Sequence, residues 1–115
     1  MSNDIQRAVV LVVEDVDWIR EGMARRLKAC GFGVAEAADA DAALAQAEIL
    51  HPAAILTEEE LPSYARLVAL LARHPPLARI PVVIINPDAE PGARLGDTLL
   101  LPDYLDLQTL LAVKN

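Results

Sequence analysis

Five short apolar runs recur along the chain, and each has the length of a buried β-strand. They occupy residues 8–13, 32–37, 53–57, 80–85 and 98–101. The first run is continuous and rich in valine, which is typical of a central strand covered by helices on both faces. The third run, at 53–57, is also short and apolar and ends abruptly in three carboxylates. The pattern therefore predicts a sheet of five buried strands.

Most of the intervals between these runs show apolar residues at helical spacing. Apolar side chains recur at helical spacing from Ile19 to Cys30, with Asp17 as the predicted cap and Gly31 as the stop. A second helix is predicted over residues 39–50, and a third begins at Pro62-Ser63 and ends by His74-Pro75-Pro76. A short final helix is predicted from Leu105, Leu110, Leu111 and Val113. Strands that alternate with helices in this way imply a parallel sheet with right-handed crossovers.

The interval at residues 86–96 departs from the helical pattern. It contains Pro87, Pro91 and Gly92, which break any helix longer than about one turn. The sequence therefore predicts an α/β domain whose fourth helix is missing or reduced.

Acidic side chains follow two of the predicted strands at the point where each strand ends. Glu14 and Asp15 follow the first strand, and three consecutive glutamates at 58–60 follow the third. Because the carboxyl ends of parallel strands share one crevice, we expect these acids to lie close together. Two simpler interpretations stay open, a solvated acidic turn for Glu59 and Glu60, and helix N-terminal acids favoured by the helix dipole for the first pair.

The composition restricts the class of partner. The chain has 115 residues, 54% of them hydrophobic and 23% charged, which predicts a single globular domain over residues 1–115. A net charge of -7 argues against nucleic acid and anionic membrane as direct partners. The single cysteine, Cys30, excludes an internal disulfide and fits a reducing compartment. The sequence shows no signal peptide and no run of roughly 18 apolar residues, so it predicts a cytosolic protein.

Several short motifs, taken in order, resemble the receiver domain of two-component response regulators. They are Val-Val-Glu-Asp at 12–15, the helical segment 19–28, Gly-Phe-Gly-Val at 31–34 with Glu36-Ala37, Asp-Ala-Ala-Leu at 41–44, His51-Pro52, Leu61-Pro62 and Ile-Pro-Val-Val at 80–83. The similarity spans nearly the whole chain. It implies a CheY-like, flavodoxin-like fold, in which a doubly wound five-stranded parallel sheet of order 2-1-3-4-5 is flanked by helices.

In that family a partner histidine kinase transfers a phosphoryl group to an aspartate that ends the third strand, beside a divalent cation. The resemblance places Glu14 and Asp15 at the acid pair that organises the cation, and Glu58 at the acceptor position. Glutamate extends the carboxylate by about 1.5 Å, and displacements of about 1 Å can lower a rate by two orders of magnitude. Mg²⁺ binding by Asp15 and Glu58 is expected to be weak, because Mg²⁺ requires near-ideal octahedral geometry. No other cofactor is implied.

Two further family positions depart more strongly from the receiver pattern. The hydroxyl residue that follows the fourth strand corresponds to Asn86. The lysine that follows the fifth strand corresponds to Asp103 in a gap-free alignment, or to Leu101 if Pro102 is matched to the family's proline. Neither candidate for the lysine carries the positive charge that balances a phosphoryl group.

Two surfaces are predicted to bind a protein partner. The Leu-rich segment at residues 95–111 offers Leu99 and Leu105, although core packing is the alternative interpretation of these leucines. The first helix corresponds to the family element that docks on the kinase's phosphotransfer domain. An ordinary solvated face is the alternative interpretation of its basic residues, which include Arg20, Arg25 and Arg26.

The sequence favours a phosphorylation-independent pseudo-receiver, a protein-interaction module without enzyme activity in two-component-type signalling. The expected partner is a protein, such as a histidine kinase, a phosphotransfer protein or an output protein, and a homodimer is left open. Two other classes also stay open. One is a working phosphoacceptor that uses Glu58 or a nearby acid. The other is a small-molecule or nucleotide binder on the same fold, although no Gly-rich phosphate loop follows Val13.

Overall fold

The predicted apolar runs form the strands of one sheet. A computed structural model describes residues 8–111 of the chain. The strands are β1 (Val9–Val13), β2 (Gly33–Ala37), β3 (Ala54–Thr57), β4 (Val82–Ile85), β5 (Arg94–Leu95) and β6 (Thr98–Leu101). The helices are α1 (Asp17–Ala29), α2 (Ala40–Leu50), α3 (Tyr64–Ala72), α4 (Pro75–Ala78) and α5 (Tyr104–Leu110). Each of the five apolar runs therefore contains a strand.

The order of the strands across the sheet is β2-β1-β3-β4-β6-β5. All neighbouring strands are parallel except β5 and β6, which form an antiparallel pair. The predicted order is confirmed for the five parallel strands, but the predicted number of strands was wrong. The two-residue β5 adds an edge strand because Gly96 and Asp97 form a tight hairpin loop, in which Gly96 adopts a φ of 60° that glycine reaches without steric cost.

Alternate side chains of β1 enter two separate hydrophobic layers. Leu11 and Val13 pack on the side covered by α2 and α3, whereas Val10 and Val12 pack on the side covered by α1 and α5. All four side chains are fully buried. A parallel sheet with both faces covered explains why this run is continuously apolar in the sequence.

The ends of the helices differ in detail from the sequence prediction. Asp17 was predicted to cap α1, but Val16 occupies the N-cap in an extended conformation and Asp17 is the first helical residue. The acid is nevertheless favourable there, because the first turn of a helix stabilises negative charge. Gly31 follows the end of α1 with a φ of 95°, as expected of a helix stop. Asp39 caps α2 by accepting a hydrogen bond from the backbone N–H of Ala42.

Proline both ends and begins helices in the segment before β4. The third helix ends at Ala72, ahead of the proline pair, as predicted. Pro75 and Pro76 then begin the single turn of α4. Proline is tolerated at the first positions of a helix because the N–H groups there have no intrahelical acceptor.

No residue between β4 and β5 is helical, and the structure describes every residue of that interval. Two tight turns replace the helix, closed by hydrogen bonds from Ala89 N to Asn86 O at 2.9 Å and from Ala93 N to Glu90 O at 3.0 Å. The Asn86 side chain supports the first turn by accepting a hydrogen bond from the N–H of Asp88. The prediction that the family's fourth helix is missing is confirmed over these residues.

The predicted final helix is present, and Leu111 packs against the core, but two of the other leucines from which it was predicted are exposed. Leu107 is the fully buried residue of α5, whereas Leu105 is 59% exposed and Leu110 is 39% exposed. A helix that packs through one face buries only the residues on that face, and a Leu-rich run does not reveal which face it is. Val113 lies outside the described residues. Within residues 8–111, no helix is long and apolar enough to cross a membrane.

We expect Leu107→Ala to lower the free energy of unfolding by about 2–5 kcal/mol, because it opens a cavity in the layer between the sheet and α5. Leu110→Ala on the same helix is the matched control and should cost less than about 1 kcal/mol. Urea unfolding followed by circular dichroism measures both values. Equal losses would show that α5 does not pack through Leu107.

Candidate functional site

The pairing of β1 with β3 brings two acidic strand ends together. Val12 pairs with Leu56, so that Glu14 and Glu58 follow neighbouring strands at the same level of the sheet. Thr57 is fully buried and donates its hydroxyl to the carbonyl oxygen of Val13 at 3.1 Å, which joins the two strand ends directly. The predicted meeting of acids at the carboxyl edge is therefore present.

Glu14 is the most unusual of these acids because it is buried. Its side chain is only 3% exposed, and its Oε2 accepts a hydrogen bond of 2.9 Å from the backbone N–H of Val16. Burial, together with the neighbouring carboxyls of Glu58 and Asp15, raises the pKa of Glu14 from 4.5 to about 7, against the opposing effect of the Val16 hydrogen bond. Glu14 therefore exchanges a proton near neutral pH.

The other acids at this edge are more accessible. Asp15 is exposed and Glu58 is half-buried. Glu59 and Glu60 are exposed in the turn that follows β3, which agrees with their interpretation as a solvated acidic turn. The backbone N–H of Leu61 closes that turn on the carbonyl oxygen of Glu58.

The ends of β4 and β6 bring no cation to the acids. Asn86 follows β4 and uses its side-chain oxygen within its own turn. Leu101 is the last residue of β6, whereas Asp103 lies beyond the strand, where it caps α5 by accepting a hydrogen bond from the N–H of Leu105. The strand end itself is therefore occupied by an apolar side chain.

An open cavity of about 320 Å³ connects Glu58 with α1 and α5. It is lined by Arg25 and Arg26 of α1, by Tyr104 of α5 and by Trp18, which is 73% exposed. The Arg26 guanidinium lies over the Tyr104 ring, 5.7 Å from its centroid, in a cation–π contact. Within the described chain, no ion pair joins either arginine to Glu58.

The sequence analysis did not predict that these arginines lie near the acidic edge. It had assigned Arg25 and Arg26 to a docking face, and Tyr104 received no role. Burial raises the pKa of Tyr104, the nearby Arg26 lowers it, and the charge of Glu58 raises it, which shows that these groups share one electrostatic environment. No sequence signal could have identified this cluster, because it depends on how α5 docks beside α1.

The three-dimensional fold is shared with known proteins. No family model matches the sequence, and no curated protein matches it. Among solved structures, the chemotaxis response regulator CheY4 of Vibrio cholerae is 26% identical with a TM-score of 0.70, and the match covers 94% of this chain and 99% of that one. A putative response regulator from Chloroflexus aurantiacus is 22% identical with a TM-score of 0.71, covering 92% of this chain and 98% of that one.

A third similar structure is the receiver domain of a sensor histidine kinase from Pseudomonas aeruginosa, with a magnesium ion coordinated in its active-site cleft. It is 24% identical with a TM-score of 0.70, and the match covers 91% of this chain and 94% of that one. The chain is a receiver domain of the CheY-like superfamily. The expected flavodoxin-like fold is confirmed by these similarities.

The acidic edge of this receiver domain does not fit a magnesium site as it is arranged. A carboxylate must be deprotonated to bind a metal, so the raised pKa of Glu14 makes protonation compete with a cation for this group near neutral pH. One of its oxygens also accepts the Val16 N–H. Among residues 8–111, no group of three or more His, Cys, Asp or Glu side chains is arranged to hold a metal ion.

The predicted partner residues of the receiver domain differ in accessibility. Arg20 is bound to Asp17 at 2.7 Å and to Glu36 at 3.2 Å, and it donates a further hydrogen bond to the Glu14 carbonyl oxygen. Arg25 and Arg26 are exposed. Leu105 is exposed as well, but Leu99 is half-buried and packs against the hydrophobic layer beneath α5. Leu99 is therefore a packing residue, because the alternation along β6 turns it toward the core.

The raised pKa of Glu14 predicts that stability falls with increasing pH. The folded chain holds a proton up to a pH of about 7, whereas the ordinary pKa of 4.5 applies in the unfolded chain. The contribution of Glu14 is complete below the unfolded pKa and is lost as the pH rises through the folded pKa. We expect Glu14→Gln to remove this loss, so that above neutral pH the variant is more stable than wild type by on the order of 1–3 kcal/mol.

Denaturant unfolding of both proteins at about pH 5 and about pH 8 measures this effect. Glu60→Gln makes the same chemical change at an exposed site and controls for net charge. A stability difference between Glu14→Gln and wild type that is the same at both pH values would contradict the assignment.

Proposed function

We propose that this receiver domain is a phosphorylation-independent pseudo-receiver, which acts in the cytosol as a protein-interaction module in two-component-type signalling. In this proposal it has no enzyme activity of its own. The observation that carries the proposal is that, among residues 8–111, no cation lies at the strand ends around Glu58. Leu101 ends β6, Asp103 caps a helix, and Asn86 is bound within its own turn.

Charge balance explains why this absence matters. Phosphorylation of a carboxylate replaces its one negative charge with a phosphoryl group that carries nearly two at neutral pH, so about one negative charge is added. On Glu58 the phosphoryl group would be added beside Glu14 and Asp15, and burial raises the pKa of Glu14 in the same place. Phosphoryl transfer depends on positioned positive charge to stabilise the transferred group. The edge therefore disfavours both the transfer and its product.

The proposal implies that partner binding is constitutive. A switch needs a ligand or a modification that interacts differently with two states of the protein. Asn86 stands in the place of the family's hydroxyl residue. This position therefore has no hydroxyl that could bond a phosphoryl group and move with it. The Glu58 carboxylate brings one negative charge toward the position of a phosphoryl group, which would carry nearly two. Glu58 can therefore stabilise one state of the domain only partially.

A working phosphoacceptor is the second candidate, and one observation favours it. Arg25 and Arg26 line the same cavity as Glu58, which brings positive charge to the acidic edge by a different route from the family's lysine. Against this candidate, Arg26 is already engaged with Tyr104. Neither arginine forms an ion pair with Glu58 within the described part of the chain.

The partner in this proposal is a protein of the same signalling class, such as a histidine kinase, a phosphotransfer protein or an output protein. The exposed face of α5 around Leu105 is the favoured docking surface. The exposed Arg25 and Arg26 of α1 offer a second surface, and dependence of binding on these two arginines alone would indicate a decoy for a kinase docking site.

We expect Mg²⁺ to bind weakly, without saturation below a few millimolar, because the acids do not form an octahedral ligand set. Trp18 lines the cavity beside Glu58, so its fluorescence is the direct reporter of a titration. NaCl at the same ionic strength controls for general screening of the acidic edge. A saturable Mg²⁺ response that disappears in Asp15→Asn would contradict the expectation.

We expect no stable phosphorylation when the chain is incubated with acetyl phosphate and Mg²⁺, because no cation at the strand ends balances the added charge. Intact mass spectrometry measures the result, with an aspartate-bearing receiver treated in parallel as the positive control. A persistent gain of one phosphoryl group that is lost in Glu58→Gln would overturn the proposal and establish the second candidate. Loss of the same gain in Arg26→Ala would then identify the substitute cation.

A further inference from the structure

The crossover between β4 and β6 leaves a groove beside α5. The groove has a volume of about 300 Å³ and is lined by the loop at 90–92, the end of β6 and one face of α5. A crossover between parallel strands usually carries a helix. Here the turns that replace it leave three leucines as walls of the groove, namely Leu100, Leu101 and Leu110.

Apolar surface continues from the groove onto the exposed face of α5. Leu105 is 59% exposed and Leu110 is 39% exposed. Leu105 and Thr109 are separated by one helical turn, and Thr109 lines the groove. Leu105 therefore extends the apolar surface by one turn beyond the groove itself.

Acidic side chains surround this apolar surface. Glu90 and Asp106 line the groove, and the exposed Asp88 and Asp103 lie close to them in sequence. Arg94 is the one basic residue between residues 86 and 111, and it lines a different cavity. A partner that covers the groove therefore gains from Lys and Arg around an apolar centre.

Strand addition is disfavoured at this edge of the sheet, because the outermost strand β5 has only two residues. The outer side of β6 is already paired with β5, and the N–H of Leu100 donates to the carbonyl oxygen of Ala93 at 3.0 Å. An added strand needs a free row of backbone groups. A helix, whose backbone groups are bonded internally, needs none.

A second copy of the chain fits this surface poorly. A two-fold dimer would place the same patch against itself, so that Glu90 and Asp106 would meet the acids of the other copy. The net charge of -7 adds to the repulsion.

We propose that the groove and the exposed face of α5 form a docking site for a basic amphipathic helix of a partner protein. One large apolar side chain of that helix enters the groove, its apolar neighbours one turn away cover Leu105 and Leu110, and its Lys and Arg face Glu90 and Asp106. The inference rests on the proposed function, since it names the chemistry of the partner that the interaction module binds.

The test uses the whole chain and a synthetic peptide of about 18 residues, long enough to form a helix, with Leu at every third or fourth position and Lys or Arg elsewhere. Fluorescence anisotropy of the labelled peptide measures affinity. A scrambled peptide of the same composition and an amphipathic peptide with Glu in place of Lys and Arg should each bind at least about tenfold more weakly, or about 1.4 kcal/mol.

Leu105→Glu separates docking from general charge attraction. The variant is more acidic than wild type, so non-specific attraction would increase, whereas docking predicts a loss of at least about tenfold, or about 1.4 kcal/mol. Ile49→Glu is the matched control, because it makes the same change at a side chain of α2 that is 78% exposed. This control should bind the basic peptide as tightly as wild type, with both variants checked for folding by circular dichroism.

Equal binding of the scrambled and amphipathic peptides, or undiminished binding by Leu105→Glu, would overturn the inference and reduce the effect to non-specific charge attraction. Stronger binding of the Glu peptide would overturn it too, as would a homodimer that Leu105→Glu dissociates. None of these results alters the phosphorylation assay. A domain that resists acetyl phosphate but ignores the basic peptide keeps the proposed function and loses only the partner chemistry.

Discussion

The parallel register between β1 and β3 determines the chemistry of the carboxyl edge. Because Val12 pairs with Leu56, any acids that follow these strands must emerge beside each other. Burial of Glu14 is eased by its partial protonation near neutral pH and by the hydrogen bond that its oxygen accepts from the Val16 N–H. The hydrophobic packing of the central strands thus brings the acids close together. Partial protonation of Glu14 reduces the electrostatic repulsion between them.

Positive charge reaches this edge from the helices and not from the strands. Arg20 fixes the beginning of α1 to the Glu14 carbonyl oxygen and to Glu36 of β2. Arg26 lies over Tyr104, which ties α1 to α5 beside Glu58. These guanidinium groups are held mainly by structural contacts. Within residues 8–111, the strand ends of the acidic edge therefore carry no cation of their own, and Arg20 and Arg26 beside them are engaged in structural contacts.

Much of the fold could be predicted from the sequence, because a sheet covered on both faces requires continuous apolar runs. The capping residues at the helix ends were harder to predict. Val16 replaced Asp17 at the N-cap because that position depends on backbone dihedrals that composition does not reveal. The β5 strand had a usable signal, since Gly96-Asp97 is a two-residue hairpin loop.

The side chains of the last strand and helix were harder to assign. A short Leu-rich helix can pack through several faces, so Leu107 could not be distinguished from Leu105 before the docking of α5 was known. Leu99 could not be assigned from the sequence either, because its burial depends on the side of β6 on which it lies. The cavity shared by Glu58, Arg26 and Tyr104 combines three distant parts of the chain, and only the tertiary structure brings them together.

The helix-free crossover also affects how the domain opens locally. In the sheet order, β6 joins the central strands only through β4, and α5 contacts the remainder through one face. A crossover helix would have added packing between this edge and α3, which here meets β6 in the 2.6 Å hydrogen bond between the hydroxyls of Tyr64 and Thr98. Without it, β5, β6 and α5 can separate as a unit while β1, β2 and β3 keep their pairing. Cooperative subunits of this kind open at a lower free energy than the global transition, so the C-terminal edge is the expected site of native-state fluctuation.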